Sequence, residues 1–501
     1  MGKEGSHWVN GVHVRGTAFS IDGRSFSLEA PLTEAVPIGA YVKITVDDDN
    51  VYLGQVLEES VGQVLETDRP GGGPTRLITG RGNLLAKLNA SGSNRLDGSA
   101  VFGSGTVEAA DADLVSVHLS SSLGSTVGIE LGKIRQLPGV PATLNAAGFG
   151  RHTFLCGQSG SGKTYTLGII LERLLLDTDI KIAVADPNSD FVNLASLRPQ
   201  SDLGLADDEY RLLSSRYETV ASDIHVFGGS QSPMPLRAWF GRLTFEQQTM
   251  VLGLDPLAHA EEYNAYVRTV QRMPGSDYSL DDVLSEIRSS FDDDLRRLGL
   301  RIENLGVADL SIWVKAGEQA IRDLLPEDWR LAVFDLGSLP SRRESSIAAA
   351  ALLGTLWEQR HSRQPILMVI DEAHNVCPQH PVDSNQALAT EHVVRIAGEG
   401  RKYGLYLLLA TQRPEKVHQN VLSQCDNLIL MKMNSAADIR SLSETFSYTP
   451  AALVEQAAAF GLGEGLASGK IAPDPLLFKS GRRYTMEGGS DVSSTWASRR
   501  R

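Results

Sequence analysis

The chain has 501 residues, 42% of them hydrophobic and 22% charged, which is ample length for two or three domains with buried cores. A formal net charge of −14 excludes a protein coated in basic surface for nucleic acid, while leaving room for a basic lining confined to a pore or groove. The three cysteines, Cys156, Cys377 and Cys425, have no metal-site spacing and fit reduced thiols in a cytoplasmic protein; the longest apolar stretches, such as Ile347 to Trp357, are too short to cross a bilayer, so no membrane is expected.

Residues 1 to about 10 form a polar leader. From Thr17 the chain alternates: Phe19 and Ile21, the turn Asp22-Gly23, then Phe26 and Leu28, which predicts a hairpin. A second hairpin follows, with Tyr41 to Val46 and Val51 to Val56 flanking the acidic turn Asp47 to Asn50. A glycine-rich interruption from Pro70 to about Gly98, carrying Arg76, Arg81, Lys87 and Arg95, reads as a mobile loop. Strand-like runs resume at Ser99 to Val107 and Leu114 to Leu119. Many short strands at close spacing predict a small β-barrel domain over residues 1–136, and the two prolines and small residues of 137–150 predict a linker.

Residues 152–177, HTFLCGQSGSGKTYTLGIILERLLLD, then bring an apolar run, a glycine-rich bend and a long apolar helical pattern. Gly157, Gly162, Lys163 and Thr164 fit G-x-x-x-x-G-K-[ST], in which backbone N–H groups turn inward around phosphate oxygens at a helix N-terminus. The candidate nucleotide ligands are therefore Gly157, Ser159, Gly160, Ser161, Gly162, Lys163, Thr164 and Tyr165. Lys163 is suited to the β- and γ-phosphates of ATP, and the Thr164 hydroxyl to Mg²⁺.

Beyond this loop, Ile180 to Ala185 and Ile224 to Phe227 read as buried strands. The period then changes to helical over about 236–326, with capping-type starts at Thr244 with Gln247 and Ser279 with Asp282, which predicts a helical insertion. Leu331 to Phe334 is again strand-like, Ser341 with Glu344 opens a helix, and three apolar runs follow at Ile366 to Ile370, Leu405 to Ala410 and Leu428 to Met433. This alternation predicts an α/β fold with a mainly parallel sheet and helices on both faces over 151–462, followed by a polar, glycine-rich tail over 463–501.

The run PILMVIDE, Pro365 to Glu372, supplies the second half of a phosphoryl-transfer site. A buried strand delivers Asp371 as a carboxylate for Mg²⁺ and Glu372 as the general base for water. Gln412 follows the next apolar run, where an amide senses the γ-phosphate and orients water. Arg401, in Glu399-Gly400-Arg401-Lys402, is a candidate arginine finger, with Arg151 a second; the competing reading pairs Arg401 with Glu399 or Glu391.

The phosphate loop, IDEAHN at Ile370 to Asn375, GEGRKYG at Gly398 to Gly404, ATQRP at Ala410 to Pro414, VLSQCDNLILMKM at Val421 to Met433 and EGGSDVSSTW at Glu487 to Trp496 together resemble the HerA family of the HerA/FtsK ATPases. The likeness covers most of the chain, including the N-terminal barrel, and implies a RecA-like core. It further implies a homo-hexamer that hydrolyses ATP between subunits and moves double-stranded DNA, with Arg401 acting in trans. Such proteins work beside a nuclease or other effector, in DNA end processing and repair or in antiviral defence. No nuclease-type centre is visible in this chain, so a separately encoded effector is expected. The alternative is an ATP-switched hexameric scaffold that activates an effector with little DNA movement. One departure from the family is Asp186 to Phe191, DPNSDF, in place of an acid-aromatic ending.

Overall fold

The computed structural model describes residues 8–489 apart from 10–11, 14–15, 33–34, 66–74, 90–91, 97, 99, 316–317, 322–324 and 473. The polar leader ahead of residue 8 and the terminal run beyond 489 lie outside the described residues. Two compact units emerge, one formed by the chain up to Gly148 with Leu428–Gly481, the other by Phe149–Asn427 with the segment that starts at Arg482.

In the first unit six antiparallel strands close into a barrel. Their order is Ser25–Pro31, Gly16–Ser20, Gly105–Ala109, Tyr41–Thr45, Val51–Leu65 and Thr75–Asn89, the last pairing back onto the first. Period-two alternation turns Ala18, Phe26, Leu28, Val42, Ile44, Val56 and Ile78 into one buried core. Both predicted hairpins form: the Asp22 carboxylate accepts from the backbone N–H of Arg24 and Ser25, and Asp47 accepts from Asp49 and the Asn50 amide.

Three expectations fail in this unit. The interruption expected as a loop contains the 15-residue strand Thr75–Asn89. Its glycines are there for close approach rather than for flexibility, because a Cβ on Gly82 would stand 2.3 Å from the Gln55 carbonyl oxygen and 2.5 Å from Phe26. Leu114 to Leu119, expected as a strand, belongs to the helix Ala112–Leu123, started by Asp111, whose side chain accepts from Leu114 N–H. Residues 137–150 and the region after 463, expected as linker and tail, supply ordered strands. Pro141–Asn145, Gly128–Ile134, Leu476–Ser480 and Glu464–Gly469 neighbour one another in that order, so Leu428–Gly481 belongs with the barrel unit.

The second unit is built on six parallel strands in the order Ile224–Phe227, Leu331–Asp335, Lys181–Asp186, Ile366–Ile370, Leu405–Thr411 and His152–Cys156. Apart from the edge strand Ile224–Phe227, the strands are largely apolar and buried along nearly their whole length, as a sheet covered on both faces requires. The helical insertion is present as Phe245–Val251, Ala260–Val270, Leu280–Arg288 and Asp293–Leu305, and the capping boxes at Thr244/Gln247 and Ser279/Asp282 both form. The described residues between 306 and 320 lie in turns and irregular chain rather than in helix. Among the described residues no helix is long and apolar enough to cross a membrane.

Gly82→Val tests the close-approach reading. The side chain would collide with fixed backbone and with Phe26, so we expect the barrel to lose roughly 1–3 kcal/mol, read as an earlier thermal transition. Gly98→Ala, with nothing within 4 Å of its added Cβ, should leave that transition in place.

Candidate nucleotide site

The phosphate loop runs from the buried strand His152–Cys156 to the helix Lys163–Asp177. Gly157 N–H is tied to the Thr411 carbonyl at 3.3 Å, and Ser161 N–H to Gln158 at 3.1 Å. Gly160 (φ 74°) and Gly162 (φ 94°) take left-handed conformations that a side chain would strain, and Gly162 starts the helix without a side-chain cap. The first-turn N–H groups are thereby left to an anion. Ser159 and Gly160 are exposed, Thr164 is half-buried, and Ser161 is fully buried.

Parallel register does the rest of the assembly. Ala185 pairs with Ile370, and Ile370 with Leu409, so Asp186, Asp371 and Gln412 leave the sheet at one carboxyl edge, beside the phosphate loop. There Lys163, only 4% exposed, places its Nζ 2.5 Å from Asp371 Oδ1 and 3.4 Å from Glu372 Oε1. Gln412 Nε2 donates to Glu372 Oε1 at 2.7 Å. His374 Nδ1 stands 3.3 Å from Glu372 Oε2 and 3.0 Å from the Thr411 hydroxyl. Burial alone would raise the Glu372 pKa, but His374, Lys163 and Gln412 outweigh it and hold the carboxyl down to about 2. Burial likewise pulls Lys163 down, while Asp371 and Glu372 more than compensate and keep the ammonium above its ordinary value.

Glu372 sits at φ 45°, ψ 49°, a left-handed conformation rare for a residue with a side chain. Strain of this kind is held where the surroundings fix a functional side chain, here by Lys163, Gln412 and His374 together. Asp371 Oδ2 and Ser161 Oγ are both buried without a hydrogen-bond partner among the described residues. A free carboxylate oxygen, a free hydroxyl and a buried ammonium beside a loop of N–H donors fit a nucleotide's phosphates. One carboxylate plus the Thr164 hydroxyl is also the sparse protein ligand set that suits Mg²⁺ completed by phosphates and water.

Three features escaped the sequence reading. His374 lies two residues beyond Glu372 and is recognisable as a partner only once the turn brings it back. Asp186, pushed up to about 7 chiefly by burial, accepts N–H bonds from Asp190 and Phe191 and so shapes the DPNSDF loop; Asp190 is raised to about 6 by burial and then by Asp371. The segment from Arg482 lies across the phosphate-loop helix. Buried Glu172 accepts the N–H groups of Tyr484 and Thr485 at 2.8 and 2.7 Å, and Arg483, also fully buried, lies 3.8 Å away. No local spacing links 172 to 483. Tyr165, expected at the nucleotide, instead accepts the Arg483 N–H with its hydroxyl at 2.9 Å.

The two candidate arginines are elsewhere. Arg401 lies on the turn Gly400–Tyr403 ahead of the strand Leu405–Thr411, and Arg151 immediately precedes His152–Cys156, so both stand at the amino edge of the sheet. The seven-residue strand between Arg401 and Gln412 spans roughly 20 Å at about 3.3 Å per residue. Arg401 pairs with neither Glu399 nor Glu391, which bonds Arg395; its Nη1 meets Asp426 Oδ2 at 2.9 Å, and Arg151 Nη1 meets the same oxygen at 3.4 Å. The structure thus brings together Lys163, Asp371, Glu372 and Gln412, and keeps Arg401 and Arg151 apart from them.

The family model for the helicase HerA central domain matches residues 129–355. The DNA double-strand break repair helicase HerA of Sulfurisphaera tokodaii is 25% identical over 92% of this chain and 91% of its own length. Its counterpart from Sulfolobus acidocaldarius is 24% identical over 93% of each. The solved structure of VirB4 from Thermoanaerobacter pseudethanolicus aligns with a TM-score of 0.47 at 16% identity, over 71% of this chain and 96% of that one.

The electrostatics of Glu372 give a pH test. His374→Ala removes the first of the interactions that depress the carboxyl, so its pKa should rise from about 2 toward the ordinary value of about 4.3. As the expected general base, Glu372 would work ionised, above its pKa, so the acid limb of kcat/KM for ATP should move to higher pH, and His374→Gln, which keeps a donor, should move it less.

Proposed function

We propose that this chain, which belongs to the HerA/FtsK family of ATPases, assembles into a homo-hexameric ring that hydrolyses ATP between subunits and drives double-stranded DNA through its channel. The single observation that carries the ring is the separation of the arginines from the phosphate site. Phosphoryl transfer by this class of site is completed by a guanidinium that stabilises transition-state charge. Within one chain Arg401 and Arg151 stand roughly a strand's length from Lys163, and both are exposed at the opposite edge, as residues offered to a neighbouring subunit would be. DNA as the substrate is supported by the relatives' names as double-strand break repair helicases.

In this reading the phosphate loop cradles ATP, and Lys163 swings from Asp371 to the β- and γ-phosphates. Glu372, ionised at neutral pH, takes the proton of the attacking water, and Gln412, already bonded to it, orients that water. Mg²⁺, held through Thr164 and Asp371, would screen the charge of the phosphates. The ring works with a separately encoded nuclease or other effector, in DNA end processing or anti-phage defence.

ATPase rate measured with and without linear double-stranded DNA across a salt series tests the substrate. A motor that grips phosphates releases counterions, so we expect stimulation that fades steeply as salt rises. A rate indifferent to DNA would replace this reading by the scaffold, in which ATP only switches assembly of the effector.

Glu372→Gln should bind ATP and hydrolyse it at least about 100-fold more slowly, and normal turnover would remove it as the base. Arg401→Ala should keep ATP binding and hydrolyse it much more slowly, at a residual rate that is still measurable. Mixing it with Glu372→Gln subunits should restore part of the rate, since an intact base and an intact arginine then meet across an interface.

A further inference from the structure

The two arginines assigned to a neighbour's phosphates converge on one carboxylate oxygen. Asp426 Oδ2 lies 2.9 Å from Arg401 Nη1 and 3.4 Å from Arg151 Nη1. We propose that Asp426 is a positioning residue for catalysis, setting Arg401 and Arg151 as a two-guanidinium clamp on the phosphates bound by the adjacent subunit. This rests on the ring reading above.

The backbone around this junction is fixed from several sides. Asp426 is the second residue of the strand Cys425–Met431, and the next residue, buried Asn427, donates to the Thr153 hydroxyl at 2.9 Å. That bond ties Asp426 to the strand that Arg151 precedes. Buried His152 accepts the Leu407 N–H on Nδ1 at 3.0 Å, which ties the same strand to the one that follows Arg401. Burial and the Arg401 charge hold His152 at a pKa of about 4, so it is neutral at physiological pH and adds no third positive charge. Asp426 therefore projects from a backbone held on several sides toward two long, partly exposed side chains.

Exposure separates this triplet from an ordinary structural ion pair. The side chains of Arg151, Arg401 and Asp426 are 47%, 37% and 40% exposed, and pairs this wet add little to folding. What the shared oxygen does is hold two mutually repelling guanidinium groups side by side. Each arginine uses one Nη1 on Asp426 and keeps further N–H donors for an incoming phosphate oxygen, and the triplet retains one net positive charge. A preorganised donor pair stabilises transition-state charge without reorganising at the moment of reaction.

The test uses the full-length protein. Asp426→Ala and the near-isosteric Asp426→Asn should lower kcat by about tenfold or more, the loss typical of an orienting partner, with KM for ATP and the thermal transition unchanged. In an Arg151→Ala/Arg401→Ala background, removing Asp426 should cost nothing further, because a residue that acts only through the arginines has nothing left to position. Rings mixed from Asp426→Ala and Glu372→Gln subunits should recover rate, as Arg401→Ala mixtures do. Wild-type kcat in both Asp426 variants, or a further loss in the arginine-free background, overturns the inference. If Arg401→Ala mixtures recover and Asp426→Ala mixtures do not, the positioning role alone falls; if neither recovers, action across the interface falls, and this inference with it.

Discussion

A lysine ammonium that is 96% withdrawn from water has to be neutralised where it lies, and the nucleotide unit is arranged so that it is. Asp371 supplies the nearest carboxylate and Glu372 the next, each delivered by the end of one central strand. The arrangement requires a parallel sheet, since only strands running the same way bring the phosphate loop, the two acids and Gln412 to a common edge. It also explains the left-handed backbone at Glu372. The strand must end at Asp371 and still turn the following carboxylate back beside Lys163, and a strained residue held by three partners is how the chain does so.

The same geometry leaves the site incomplete. The groups gathered at the carboxyl edge are suited to phosphate, a metal and water, while the exposed guanidinium groups of Arg151 and Arg401 stand at the other edge. In the proposed ring, dividing the reaction between two edges of one sheet would make hydrolysis a property of an interface. Each subunit would then both hold one nucleotide and activate another, and the timing of turnover would pass to the assembly.

What the sequence disclosed follows the range of the signals. The phosphate loop, Asp371, Glu372 and Gln412 were legible because each is a local pattern set by one strand and the bend after it. The barrel hairpins were legible through Asp22-Gly23 and Asp47, whose side chains act within three residues. The strand Thr75–Asn89 was not, since Gly82 signals flexibility in a single sequence and reveals close packing only when Phe26 and Gln55 are beside it. The helix Ala112–Leu123 was hidden by an alternation at Leu114 to Leu119 that its capping aspartate overrides. Asp426, His374 and the pair Glu172 with Arg483 act across turns or hundreds of residues, and nothing in their spacing announces them.

The segment from Arg482 has a consequence for biosynthesis. Residues 149–427 are made before the segment that completes their packing: Glu172 is buried with N–H donors coming from Tyr484 and Thr485, after the chain has left to build part of the other unit and returned. Until then Glu172, on the helix that bears the phosphate loop, has Arg173 beside it at 3.6 Å but lacks the N–H donors of Tyr484 and Thr485, so the final packing of this unit waits for the segment from Arg482. The unit that carries the phosphate loop therefore closes around a segment translated after the Leu428–Gly481 part of the barrel unit.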